Sequence, residues 1–271
     1  VTLNNLSVRN FFKKGAWRPY PSGQNQKLSI SGQTNGTYYK ALSLSFTDPW
    51  LGGRRPNSFT LSGYISEQNN AYYVWQSATM YYRSIGVFAG LGKRLQWPDP
   101  YFTLYGELGY QRYSLRGWNS FILSDGVANT LSLKLVLQRS SVDAPFFSRS
   151  GSEFSVSVQA TPPFSLWDGK NYADPNLSDQ DRYRWIEFHK WILKGRWFFP
   201  LTRNQNLVLM LGAEMGYLGN YNKDKVSPFE RFEIGGDGMT GYNMYGVDII
   251  ALRGYDDGAL DPSDFYSVAY N

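Results

Sequence analysis

The sequence predicts an all-β fold of one particular kind, a transmembrane antiparallel up-and-down β-barrel. Three observations lead there. Apolar and polar residues alternate with period two through most of the chain. The alternating segments run to about nine to fifteen residues, longer than soluble strands and matched to strands that cross a bilayer at a tilt. The chain is also poor in charge, with 18% charged and 17% aromatic residues among 271; soluble domains carry about a quarter charged residues.

The remaining composition narrows the function classes. Mean hydropathy is negative, because Ser, Asn, Gln, Gly and Tyr fill out the chain. No apolar run reaches the roughly 18 residues of a spanning helix. No signal peptide opens the sequence, so the chain is expected to be mature or cut from something longer. Cysteine is absent, which excludes disulfides, thiolate zinc sites and cysteine nucleophiles. Net charge is +5, but Lys and Arg are scattered rather than gathered in a dense stripe, so no nucleic-acid partner is expected.

The alternation is clearest at 129–141. Leu131, Leu133, Leu135 and Leu137 share one face, and Ser132, Lys134 and Gln138 share the other. Segment 153–160 repeats it, with Phe154, Val156 and Val158 opposite Ser155, Ser157 and Gln159. Segment 41–47 sets Leu42, Leu44 and Phe46 against Ser43, Ser45 and Thr47. On this basis about ten strands are expected, over 1–8, 27–34, 38–47, 58–66, 76–95, 101–114, 129–141, 152–161, 183–199 and 206–218. The ninth is the least regular: Lys190, Lys194 and Arg196 share parity with Ile186, Phe188 and Ile192. A bulge or a change of face is expected there.

The connections differ in kind. Segments 48–57, 96–100 and 200–205 are short and turn-like, whereas 115–128, 162–182 and 219 onward are long. The short 35–36 turn and the long 10–26 connection break the rule. Short turns on one side and long loops on the other are the habit of outer-membrane barrels. Trp50, Tyr72, Tyr73, Trp75, Trp97, Tyr101, Trp118 and Trp167 gather near strand ends, as aromatic girdles do at membrane interfaces. A soluble sandwich would account for the alternation, but less well for the strand length, the low charge and the Ser- and Gln-rich polar faces. In lipid the apolar face turns outward, and barrel closure satisfies the backbone.

No catalytic or metal motif is found, and no cofactor is expected. Residues 86–93, GVFAGLGK, fall short of a phosphate loop: five residues separate Gly86 from Gly92 where four are needed, and Arg94 follows Lys93 where Ser or Thr should stand. Residues 174–185 carry several oxygen donors but lack the glycine and glutamate of an EF-hand. The single histidine, His189, has no His cluster around it in sequence and is read as structural. Asp256 and Asp257 are read as turn-capping residues. Glu107 and Glu214 fall on the polar faces of their strands, where a barrel would direct them to the lumen.

Several stretches resemble the barrel of the Omp85 family of outer-membrane proteins. They are LSLSFTDPWLGG at 42–53, QRSSVDAPFFSRSGSEFSVSV at 138–158, WFFPL at 197–201, PFERFEIGGDG at 228–238 and LRGYDDG at 252–258. Each is weak alone, but their order and spacing are specific together, and they cover essentially the whole chain. One departure is the run between Asp237 and Leu252, with its own TGYNMYG, which separates the Gly235–Gly236 pair from the Arg253–Gly254–Tyr255 triplet.

The resemblance implies a partial barrel, about ten of sixteen strands, spanning 1–271, with a large extracellular loop at 219–260 that folds into the lumen. It implies that soluble periplasmic POTRA domains and the remaining strands lie outside this chain. It implies a non-enzymatic outer-membrane assembly and insertion role, in which client strands add to an exposed sheet edge. A sister role in protein secretion or autotransporter assembly is the alternative. The partners implied are the outer-membrane bilayer, unfolded β-barrel clients and accessory lipoproteins. Arg253 is expected to brace the loop against an acidic residue of the wall, with Glu107 and Glu214 as candidate contacts. Gly254 would permit a tight bend and Tyr255 would pack in the lumen.

Overall fold

The computed structural model describes residues 1–53, 57–71, 77–119, 121–235, 247–250, 252 and 254–256. Ten strands form one sheet: β1 (Thr2–Leu6), β2 (Gln26–Asn35), β3 (Tyr39–Asp48), β4 (Asn57–Asn69), β5 (Tyr81–Arg94), β6 (Phe102–Arg116), β7 (Gly126–Ser140), β8 (Gly151–Ala160), β9 (His189–Pro200) and β10 (Val208–Gly219). Their order follows the chain, β1 through β10. This is the all-β, antiparallel up-and-down arrangement expected from the sequence. Residues 1–118 and 124–133 make one compact unit; 119–123 and 134–271 make a second.

In the first unit the pairings of β2 with β3, β3 with β4, β4 with β5 and β5 with β6 run without a register break. The pairing of β1 with β2 is irregular, between Leu3 and Leu6. The unbroken register keeps each face chemically uniform. Leu42, Leu44, Leu61, Ile65, Ile85, Val87 and Leu108 are exposed, and Leu108 is 55% so. Ser66, Ser84, Gln111, Thr130 and Ser132 lie on the other face and are buried, Ser84 completely. That is the reverse of a soluble sheet. In water each Å² of exposed apolar wall would cost about 25 cal/mol; in lipid the same wall is solvated.

The polar face of this unit is closed by aromatic rings and hydrogen bonds. Ser66 and Ser84 hydroxyls lie 2.9 Å apart, and Gln111 Nε2 donates to Tyr64 Oη at 2.9 Å. Tyr64 stacks with Phe88 at 6.0 Å and Tyr82 with Tyr113 at 6.2 Å. Gly86 makes room for Tyr64 and Phe88: a Cβ there would strike the Tyr64 ring. The whole of 86–93 lies inside β5, where a phosphate-cradling loop has no place.

Two short turns are built alike. Asp48 Oδ1 accepts from the Trp50 N–H at 3.0 Å, and Asp99 Oδ1 accepts from the Tyr101 N–H at 2.9 Å. Each is an Asp-Pro-aromatic step in which the carboxylate folds the backbone over two residues. Gly52 and Gly53 follow the first turn with φ of 82° and 72°, a region that favours glycine. Trp50, Trp97, Tyr101 and Trp167 are exposed. Trp118 instead packs beside Tyr82 at 6.3 Å. Tyr72, Tyr73 and Trp75 fall outside the described residues.

In the second unit β8 pairs with β9 and β9 with β10, again without a break. The bulge expected in the ninth strand is therefore not there. β9 begins at His189, so Ile186 and Phe188 belong to the preceding loop and are buried in it. Lys190, Lys194 and Arg196 keep the polar face, while Trp191, Leu193, Trp197 and Phe199 take the exposed one.

The packed apolar core of this unit lies in its loops, not in the sheet. Phe121, Leu123, Tyr172, Tyr183, Ile186, Phe188, Val226 and Phe229 are buried; the 161–188 connection also carries two four-residue helices, α1 (Phe164–Trp167), which buries Ser165, and α2 (Asp179–Arg182), which lies at the surface. Beyond β10 the large loop is not wholly irregular. It carries β11 (Arg231–Ile234) and β12 (Val247–Ile250), paired in parallel.

Candidate functional site

The large loop is fixed to the polar face of β9 by charge. Lys190 projects from that face and is 2% exposed. Its Nζ donates to Glu230 Oε2 at 3.1 Å and to the Arg231 carbonyl at 3.4 Å. It also lies 2.5 Å from Asp248 Oδ2 on β12. One wall lysine thus meets an acid just before β11 and another on β12. These acids lie eighteen positions apart in sequence. Parallel pairing of β11 with β12 places them at one point.

Packing reinforces the charge. The Lys190 ammonium lies 4.9 Å from the Phe232 ring centroid, within cation–π range. Phe232 lies over Gly216 of β10, where an added Cβ would come within 2.7 Å of the ring. Phe229 meets Phe121 edge to face at 5.0 Å, and Arg231 pairs with Glu233 at 2.6 Å on the same short strand. Burial pushes the Glu230 carboxyl above its ordinary value, and the Lys190 charge opposes that rise.

A second buried charge cluster holds the 161–188 loop to the 220–230 segment. Glu187 is fully buried. It accepts from the Ser165 N–H at 2.5 Å, the Ser165 hydroxyl at 2.6 Å and Lys225 Nζ at 2.7 Å. Lys225 lies over the Tyr172 ring at 4.4 Å, and the Tyr172 hydroxyl donates to Asp168 Oδ2 at 2.5 Å. The Tyr172 hydroxyl is pushed up, by burial first and then by the Asp168 bond. Burial would raise the Asp168 carboxyl too, but the Tyr172 bond, the Lys170 N–H and the Lys225 charge together hold it below its ordinary value. Every carboxylate oxygen of Glu187 is satisfied, as a buried charge requires. The cluster acts as a clamp between loops.

The residues singled out from the sequence are distributed differently. Glu107 lies on the polar face of β6, where its Oε2 accepts from the Tyr105 hydroxyl at 2.7 Å. Glu214 pairs with Lys194 at 2.6 Å, its direct neighbour across β9 and β10. Gly235 adopts φ 131° at the end of β11, where its N–H donates to the Ile250 carbonyl at 3.2 Å. Gly254 adopts φ 95°, and Tyr255 is exposed. Gly236 and Arg253 fall outside the described residues. His189 accepts from Trp191 Nε1 at 3.1 Å and sits beside Tyr217 and Tyr221. Its ring fills the space left by Gly219.

Lys190, Glu230 and Asp248 were not singled out by sequence. Alternation did place Lys190 on the polar face, and PFERFEIGG held Glu230, but nothing local joined them. Among the described residues no group of His, Cys, Asp and Glu is placed to hold a metal ion.

A family model described as the Omp85 superfamily domain matches residues 22–269. The chain is 41% identical over 66 residues to an outer membrane protein assembly factor BamA from Neisseria meningitidis serogroup B. That stretch is 24% of this chain and 7% of the relative. The fold is similar to the crystal structure of BamA from Haemophilus ducreyi lacking POTRA domains 1–3, with a TM-score of 0.62 at 18% identity. That alignment covers 89% of this chain and 42% of the BamA chain. The chain therefore belongs to the Omp85 superfamily, as part of an integral outer-membrane β-barrel.

Proposed function

We propose that this chain is barrel wall and large loop of a factor that assembles and inserts β-barrel proteins into the outer membrane, without enzymatic chemistry. The observation that carries the reading is the 41% identity to the Neisseria assembly factor over 66 residues. The sheet geometry suits the role, because a client strand can be accepted at a sheet edge through main-chain hydrogen bonds. The partners under this reading are the outer-membrane bilayer, unfolded barrel clients and accessory lipoproteins.

In this reading Lys190 holds the base of the large loop, and Arg253 extends the brace from the loop to an acid of the wall, with Glu107 and Glu214 as candidate contacts. Replacing Arg253 by Ala in the full-length protein should lower both client assembly and barrel stability. If neither changes, the Arg253 brace is wrong. The role itself is tested by depleting the full-length protein and measuring outer-membrane β-barrel proteins. Many should fall together. Loss of one secreted passenger alone would replace this reading with a secretion or autotransporter-assembly translocon.

A further inference from the structure

The 7–25 connection between β1 and β2 is long, although in its unit it shares an end of the up-and-down sheet with the short turns after β3 and β5. It is also locally built. The Ser7 N–H donates to the Pro21 carbonyl at 2.9 Å, Asn10 Nδ2 to the Ser22 carbonyl at 3.1 Å, and the Tyr20 hydroxyl back to the Asn4 carbonyl of β1 at 2.8 Å. The Trp17 indole donates to the Phe11 carbonyl at 3.1 Å. The Phe11 ring then meets Phe12 at 5.6 Å and Trp17 at 4.9 Å.

This ordered loop turns its apolar rings outward. Phe12 is 92% exposed, and Phe11, Trp17 and Val8 are exposed with it. Between and beside them stand four exposed cations, Arg9, Lys13, Lys14 and Arg18. None has an ion-pair partner among the described residues. No Asp or Glu occurs in the chain before Asp48. Lys and Arg are scattered over the chain as a whole, but here they are concentrated around bare aromatics.

We infer that this loop is an interfacial anchor that binds the anionic phospholipid headgroups of the adjacent leaflet. Exposed rings beside unpaired cations match the chemistry of that layer: the rings enter the acyl–headgroup boundary while ammonium and guanidinium groups meet phosphate. The occupant is indicated by continuity. The loop joins two strands of the membrane wall, and the lipid-facing row of β2, Leu28 and Ile30 opposite Phe46 and Leu44, begins three residues after Asn25. The inference needs the membrane wall but not the assembly role.

The test uses the full-length protein in lipid nanodiscs of phosphatidylcholine, with and without phosphatidylglycerol. Hydrogen exchange is followed at 7–25. Phosphatidylglycerol should slow exchange in this loop, and added salt should reverse the effect. Lys13→Gln with Lys14→Gln should weaken the protection about fivefold per cation removed. Lys13→Arg with Lys14→Arg should retain it. Heat-modifiable gel mobility checks that each variant keeps its barrel. Equal exchange in both lipids, or full protection in the Gln variant, would overturn the inference. So would protection in phosphatidylcholine discs on adding inorganic phosphate alone, or protection that requires an added partner protein.

Discussion

Lys190 Nζ and Glu230 Oε2 lie 3.1 Å apart, and both side chains are buried, at 2% and 6% exposure. A wall strand and a loop forty positions later in sequence are joined there. Breaking a buried pair by removing one partner leaves a bare charge, which typically costs about 3–5 kcal/mol. Lys190→Met should therefore release β11 and raise protease sensitivity in the large loop. Adding Glu230→Gln should restore part of the loss, because the stranded carboxylate is gone. Denaturation in lipid or detergent, read as a double-mutant cycle, measures the coupling.

The same pair has a pH signature. Burial raises the Glu230 carboxyl above its unfolded value. An acid whose folded pKa is raised binds its proton more tightly in the folded state, so its contribution to stability falls as pH rises through the window between the two values. Without Lys190 only the weaker influence of the Lys134 charge opposes that rise, and the window widens upward. The cost of Lys190→Met should thus be smaller near about pH 5 than near about pH 7. An equal cost at both would show that Glu230 does not carry the charge.

Gly216 is the floor on which Phe232 rests, since a Cβ there would come within 2.7 Å of the ring. Gly216→Val should displace Phe232 and loosen β11, at a cost of about 1–3 kcal/mol. Gly212, on the same face of β10, has only the Gly195 carbonyl near its Cβ position, at 3.9 Å. Gly212→Ala is the control and should leave exchange in β11 unchanged.

Glu187 anchors the clamp between loops through Ser165 and Lys225. Glu187→Ala should expose 161–188 to proteolysis, with a loss of about 3–5 kcal/mol, because Lys225 is left buried. Tyr172→Phe removes the bond to Asp168 and the longer one from Lys225 Nζ at 3.3 Å, and should cost about 1.5–3 kcal/mol, the range for a bond to a charged group. Limited proteolysis of intact cells reads both, and a ranking with Tyr172→Phe worse would contradict the clamp.

Asp143 organises the turn between β7 and β8. The Arg149 and Ser150 N–H groups donate to its Oδ1 and hold its carboxyl below the ordinary value. A depressed acid contributes above its unfolded pKa and loses that contribution as pH falls through the folded one. Exchange at the Arg149 and Ser150 amides should therefore rise in acid below the usual carboxylate range. Asp143→Ala should show the fast exchange at all pH values.

The wall was legible because a strand's chemistry is local. Leu133 and Leu135 declare a lipid face and Ser132 its opposite from two-residue alternation alone, and the structure places them so. The aspartate turns could be read from Asp-Pro-aromatic steps for the same reason. The error at Ile186 and Phe188 has the opposite origin. Their parity matched the polar face, but they belong to a packed loop core, and apolar residues follow no period once a segment leaves the sheet.

What the sequence determined by itself was the class of fold, ten antiparallel strands with one apolar and one polar face, and the family to which they belong. Tertiary structure decided where the large loop is held. Lys190 meets Glu230 and Asp248 only because β11 and β12 pair in parallel and lie against β9 and β10. A long-range charge contact leaves no period and no spacing in the chain. Its partners are chosen by which acids the fold brings within reach of an ammonium that is itself 2% exposed.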